Sequence, residues 1–104
     1  MVISGGVNIY PAEIEASMIG IAGVIDCAVF GIPDEDFGES LCAAVQVQPG
    51  VTEDAIRAAL KQRLANYKVP RIIAFHDELP RDDSGKLRKR LLRDPYWEKA
   101  GRRI

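Results

Sequence analysis

Apolar residues recur along this chain with two different periods, and the switches between them mark out its elements. Val2 and Ile3, then Val7, Ile9 and Tyr10, form short extended runs on either side of Gly5-Gly6. Two adjacent glycines supply the positive φ angles of a two-residue turn, so residues 1–10 predict a β-hairpin. Pro11 follows as the first residue of a helix, where its missing N–H does no harm. Ile14, Met18 and Ile21 then repeat at i, i+4 and i+7, which is one buried stripe. Glu13 and Glu15 fall in the first turns, where the helix dipole favours acids.

The period then changes. Asp26 to Ile32 is a nearly continuous apolar run of strand length, ended by Pro33-Asp34-Glu35-Asp36. Leu41 to Val47 is a second run, closed by Pro49-Gly50, and the two predict an antiparallel pair. Thr52 predicts the cap of a second helix reaching about Ala65, with Ile56, Leu60 and Leu64 on one face and Arg57, Lys61 and Gln62 on the other. Val69-Pro70 ends it, and Arg71 to His76 predicts a third strand. Leu79 to Lys86 is a polar loop; Leu87 to Arg93 predicts a short basic helix stopped by Pro95. Leu87, Leu91 and Leu92 would face the core or a partner. The expected fold is α+β: a small domain with an N-terminal β-hairpin and a three-stranded sheet packed against helices.

Neither a linker nor an internal repeat divides the 104 residues, so residues 1–104 predict one domain. The 47% hydrophobic and 28% charged content excludes disordered and collagen-like classes. A domain of this size buries about two thirds of its unfolded surface, enough for a thin core but not for a deep private active site. No apolar run approaches the roughly 18 residues of a membrane span, so no transmembrane segment is expected. The first residues lack a basic stretch followed by an apolar one, so no secretory signal is expected either, and the expected location is cytoplasmic. Cys27 and Cys42 lie inside apolar runs and are expected as reduced, buried thiols.

A formal net charge of −1 conceals a strong asymmetry. Residues 1–80 carry five bases against eleven acids, while residues 81–104 carry nine bases against four acids. The C-terminal end is therefore suited to meeting something anionic: nucleic acid, a phosphate ester or an acidic protein face.

Three segments are candidates for chemistry. Pro80-Arg81-Asp82-Asp83-Ser84-Gly85-Lys86 delivers a lysine to the tip of a surface loop, where a compact charge on a flexible stem can reach phosphate or carboxylate oxygens. It is not a Walker A loop, because Pro80 stands where that motif needs glycine and Leu87 where it needs Ser or Thr. Its bland alternative is a solvated turn with an idle lysine. Ser4-Gly5-Gly6 is either hairpin geometry alone or a place where backbone approaches a ligand closely. The basic run Lys86 to Arg93 lacks the interleaved aromatics of a nucleic-acid site, so nucleic acid is not expected as a partner. His76 is the only histidine and has no companion at metal-ligand spacing, so no metal site is expected on this chain. No Gly-x-Ser-x-Gly nucleophile elbow occurs.

Read together, two of these segments resemble the C-terminal domain of adenylate-forming acyl-CoA synthetases. Ser4-Gly5-Gly6-Val7-Asn8-Ile9-Tyr10-Pro11-Ala12-Glu13-Ile14-Glu15 is similar to the motif opening that domain, and Pro80 to Lys89 to its terminal lysine motif. Gly31-Ile32-Pro33-Asp34-Glu35-Asp36-Phe37-Gly38-Glu39 and Tyr67-Lys68-Val69-Pro70-Arg71 fit in the same order, so the resemblance spans about residues 2–93. It implies a two-step reaction of a small-molecule carboxylic acid. Carboxylate and ATP give an acyl-adenylate and pyrophosphate; the thiol of CoA then displaces AMP, giving a thioester.

By this resemblance Lys86 is the catalytic lysine of adenylation, and Ser4, Gly5 and Gly6 line the pantetheine path. Phe37, Tyr67, Lys68 and Arg71 match the aromatic and basic positions that meet the nucleotide end of CoA. The resemblance also implies a large N-terminal adenylation domain of the same polypeptide, which would hold ATP, Mg²⁺ and the acyl pocket. The 104 residues would then be a lid domain without that partner, folded, holding no cofactor tightly and unable to form adenylate alone. The competing expectation is a stand-alone module whose basic end docks on an acidic partner or nucleic acid. It explains the charge asymmetry but not four ordered motifs.

Overall fold

The computed structural model describes residues 1–36 and 38–99. Strands β1 (Val2–Ser4) and β2 (Val7–Ile9) pair antiparallel, with Val2 opposite Ile9. Between them Gly5 and Gly6 take φ of 57° and 82°, the left-handed pair that a two-residue hairpin turn requires. Helix α1 (Pro11–Ile19) begins at Pro11 and buries Ile14 and Met18.

Strands β3 (Val24–Asp34) and β4 (Gly38–Val47) form the long antiparallel ladder at the centre. β3 outruns its expected end, because Pro33 pairs with Glu39 instead of breaking the strand. The sheet order β2-β1-β4-β3 makes β3 an outer strand, where a missing N–H is tolerated. Thr52 caps α2 (Glu53–Arg63), its Oγ1 accepting the Ala55 N–H at 3.2 Å. The helix ends at Arg63, short of Ala65, and a 3₁₀ turn at Asn66–Lys68 carries the chain toward Pro70. β5 (Ile72–Phe75) then runs parallel to β4, with Cys42 opposite Ile72. Parallel neighbours need a crossover, and α2 supplies it. The hairpin and the three-stranded sheet are both present; a bridge from Ser4 to Gly38 joins them into one five-stranded sheet.

Both faces of this sheet are covered. Val2, Cys27, Val29, Leu41, Ala43, Val45 and Ile73 lie in one cluster with Ile14, Met18, Ile56 and Leu60 of α1 and α2. Phe30, Ile32, Cys42 and Ala44 lie in another with Leu79, and Leu87, Leu92 and Tyr96 pack against it. Residues 27–32 and 40–45 are accordingly buried at every position instead of alternating. Cys27 and Cys42 are free, buried thiols and belong to different clusters.

The last helix corrects the sequence expectation. α3 (Lys89–Lys99) starts two residues later than Leu87 and passes straight through Pro95. Its start is delayed because Leu87 is held in an antiparallel bridge with Arg81. Pro95 removes one helical hydrogen bond and crowds the preceding turn, but tertiary contacts hold the next residues in place. The Tyr96 ring lies 6.1 Å from that of Phe30, and Trp97 Nε1 donates to the Gly31 carbonyl at 3.0 Å. Leu91 is 55% exposed, so of the three leucines expected inward only Leu87 and Leu92 pack on the core.

Candidate functional site

The loop carrying Lys86 is a tight hairpin built on the Arg81–Leu87 bridge. Asp82 N–H donates to the Lys86 carbonyl at 3.0 Å, and Gly85 N–H to the Asp82 carbonyl at 2.9 Å. Gly85 reverses the chain at φ 86°, a conformation other residues adopt only with strain. The Asp82 carboxylate organises the inside of the turn. Its Oδ1 accepts from Ser84 Oγ at 2.6 Å, Ser84 N–H at 2.9 Å and Lys86 N–H at 3.0 Å. The Ser84 hydroxyl first, then the Lys86 N–H, hold this carboxyl below its usual range, and the charge of Arg88 adds to the effect. The turn therefore keeps its anionic centre as pH falls through the ordinary carboxylate range and loses it only at lower pH.

A second brace ties the loop to the sheet. Arg81 Nη1 donates to the Gly85 carbonyl at 2.6 Å, while Nε and Nη2 donate to Asp26 Oδ2 at 3.1 and 2.6 Å. The backbone of Lys86 is thus fixed from both sides. Its side chain is exposed, and its ammonium makes no hydrogen bond or ion pair with any described residue. Sequence reasoning singled out Lys86 as a candidate but not the residues that brace its loop, Asp82, Arg81 and Asp26. An Asp two residues before Ser is the local signal of a side chain that folds onto its own turn; the contact to Asp26, 55 positions away, leaves no such signal.

The other predicted positions gather at a different place. Ser4, Gly5, Tyr67 and Arg71 line one cavity of ≈ 360 Å³, with Val7, Ser40, Leu41, Asn66 and Val69. The glycine turn reaches it because Ser4 bridges to Gly38 at the start of β4. Arg71 is fixed at the rim by an ion pair with Asp34 at 2.6 Å, and its N–H donates to the Leu41 carbonyl at 2.9 Å. Gly6 and Lys68 are not among the lining residues. Lys68 instead binds Glu13 at 2.8 Å, which raises its pKa, and lies 5.7 Å from the Tyr67 ring centre. Phe37 lies outside the described residues.

The lysine loop is braced at Asp26, near the start of β3, whereas the cavity adjoins Asp34 at its end. The eight-residue rise separates these two anchors by about 26 Å. Among the described residues no three His, Cys, Asp or Glu side chains gather to hold a metal ion, and no helix is long and apolar enough to cross a membrane.

A small domain that covers both faces of its sheet and projects one lysine from a braced loop now has a family. Residues 13–86 match the AMP-binding enzyme C-terminal domain, and the chain belongs to that family. It is 52% identical over 96 residues to a methyl-dioxo-octahydro-indenyl-propanoyl:CoA ligase of Rhodococcus jostii, covering 90% of this chain and 19% of that protein. It is 46% identical over 97 residues to a long-chain-fatty-acid–CoA ligase of Mycobacterium tuberculosis, covering 92% of this chain and 19% of that one. A solved Mycobacterium tuberculosis fatty acyl CoA synthetase superposes with a TM-score of 0.89 at 44% identity, over 95% of this chain and 20% of its own. The ATP-bound MatB of Rhodopseudomonas palustris superposes at 0.86 with 40% identity, over 92% of this chain and 20% of its own. The chain thus spans about a fifth of the length of the relatives it matches.

Proposed function

We propose that this chain is the lid domain of an ATP-dependent acyl-CoA ligase, supplying Lys86 to the adenylation step and the Ser4–Gly5 cavity to the thioester step. The observation that carries the reading is the exposed Lys86 ammonium, uncommitted among the described residues, on a backbone braced by Asp82 and Arg81. In adenylation two anions must approach, a carboxylate and the α-phosphate of ATP, and negative charge grows on the phosphate oxygens. A cation carried in by a closing domain offsets both effects in a site cleared of water. No ligand for Mg²⁺ is assigned on this chain; in this reading ATP and Mg²⁺ belong to a large N-terminal domain of the same polypeptide.

The thioester step needs a narrow passage for a thiol arm and a rim for a phosphorylated nucleotide. The side-chain-free Gly5 and the aromatic and cationic groups of Tyr67 and Arg71 fit that requirement at the other anchor of β3. The anchors of the two places on β3 lie about 26 Å apart along the strand, and in this reading the domain turns between the two steps. Sequence similarity to an indenyl-propanoyl:CoA ligase, a long-chain-fatty-acid–CoA ligase and a feruloyl-CoA synthase supports the class of reaction.

The test uses the full enzyme. Lys86→Ala is expected to slow adenylate formation by about 10²–10³-fold, the loss typical of one preorganised charge-stabilising group, while thioester formation from supplied acyl-adenylate changes little. Equal losses in both half-reactions would overturn the assignment. The 104 residues alone are expected to release no pyrophosphate from ATP, CoA and carboxylic acids.

A further inference from the structure

The charge excess of the C-terminal end is not used up by Lys86. Arg81 is bound to Asp26, Lys89 to Glu15 at 2.9 Å, and Arg90 and Arg93 approach Asp94 at 3.8 and 4.0 Å. Arg88 differs from all of these. It is exposed, and its guanidinium makes no hydrogen bond or ion pair with a described residue. Its backbone, by contrast, is pinned: the N–H donates to the Pro80 carbonyl at 2.9 Å, and its carbonyl accepts from Leu91 N–H at 3.1 Å.

The arm from Lys86 to Arg88 runs through the Arg81–Leu87 bridge, so successive side chains alternate between its sides. Leu87 packs inward against the second core cluster. Lys86 and Arg88 consequently share the outward side, with backbones about 6.6 Å apart along the strand. The charge of Arg88 is also felt by the Asp82 carboxylate that organises the turn. Two exposed cationic residues thus stand two positions apart on one arm whose backbone is held at both ends.

We infer that Arg88 is a phosphate-binding residue that engages the β- and γ-phosphates of ATP while Lys86 serves the α-phosphate; this rests on the adenylation reading above. The step is an in-line displacement. A carboxylate oxygen forms the new bond to the α-phosphorus, the bond from that phosphorus to the bridging oxygen breaks, and pyrophosphate leaves with the electron pair. Charge accumulates on the leaving oxygens, and a guanidinium suits them because its planar fork binds two phosphate oxygens at once. The Arg88 side chain makes no hydrogen bond or ion pair with a described residue and its backbone contacts survive substitution, so Arg88→Ala should leave folding intact.

The full-length enzyme is compared with its Arg88→Ala, Arg88→Lys and Lys86→Ala variants. Arg88→Ala is expected to raise KM for ATP and the inhibition constant of pyrophosphate, each about tenfold, as loss of one charge-assisted contact does. Arg88→Lys should recover part of both. Thioester formation from supplied acyl-adenylate, which involves no pyrophosphate, should stay within about twofold, because no β- or γ-phosphate is present to lose its partner. Unchanged ATP and pyrophosphate constants, or equal losses in both half-reactions, would overturn the role of Arg88. If Lys86→Ala slows adenylation and Arg88→Ala does nothing, only this inference falls. If Lys86→Ala leaves adenylation intact, the adenylation reading falls and takes this inference with it.

Discussion

Arg81 and Asp26 are joined across 55 positions of sequence, with Nη2 and Nε of the guanidinium both on Asp26 Oδ2, at 2.6 and 3.1 Å. The same guanidinium holds the Gly85 carbonyl at 2.6 Å. Arg81 therefore connects the first residues of β3 to the residue just before Lys86, and the loop inherits the rigidity of the sheet.

That arrangement separates two effects of one mutation. The pair is partly solvated, its side chains 43% and 20% exposed, so its contribution to stability is expected to stay below about 1 kcal/mol. Asp26→Ala should shift the thermal midpoint only slightly. It should nevertheless slow adenylation by the full enzyme, by up to about 10²-fold, because a small misplacement of a charge-stabilising group is costly. A large loss of stability with unchanged adenylation would show that the pair serves folding and not Lys86.

Gly85 gives a sharper test of the same loop. A Cβ built there meets nothing within 4 Å, so crowding cannot explain any defect. What remains is the φ of 86°, which costs an L-residue about 1–2 kcal/mol. Gly85→Ala is expected to lower loop order and adenylation, with Gly85→Asn milder because Asn tolerates the left-handed region better. Equal activity of both variants and the native enzyme would mean that the turn geometry does not position Lys86.

Local chemistry made the ends of elements legible. Gly5-Gly6 specified the hairpin turn, Pro11 and Thr52 the helix starts, and Ile14, Met18, Ile56 and Leu60 the buried stripes of α1 and α2. What escaped depended on contacts distant in sequence. Pro95 stops a helix only if nothing else holds the residues after it, and here Tyr96 and Trp97 are held by Phe30 and Gly31 of β3. The parallel pairing of β5 with β4, and the Ser4–Gly38 bridge, likewise follow from how the sheet assembles. The loop position and exposure of Lys86 were legible because a lysine beside a turn glycine stands out, whereas the braces of that loop were not. Lys68, expected at the CoA rim, is committed to Glu13 on α1 by a contact that no local pattern announces.

The buried thiols offer a last test, one that concerns the fold itself. Burial, then the carboxylates of Glu15 and Asp26, push the Cys27 pKa from 9.0 up to about 12, against a smaller opposing pull from Lys89. Burial also raises Cys42, with a hydrogen bond to Tyr96 working the other way. A thiol raised in this way stays protonated in the folded chain when the unfolded chain has already ionised. Its contribution is therefore fully present below pH 9.0 and is lost as pH climbs from there toward about 12. Each such thiol steepens the alkaline fall in stability by at most about 1.4 kcal/mol per pH unit. Urea unfolding under reducing conditions, compared at about pH 8 and about pH 10, should show a steeper loss for the native chain than for Cys27→Ala. Other groups ionise in that range in both proteins, so only the difference in slope is informative. Alkylation of Cys27 in the folded domain should be correspondingly slow, because the thiolate is the reactive form. Matching slopes, together with fast alkylation of the folded chain, would show that Cys27 is not held protonated among Glu15, Asp26 and the core.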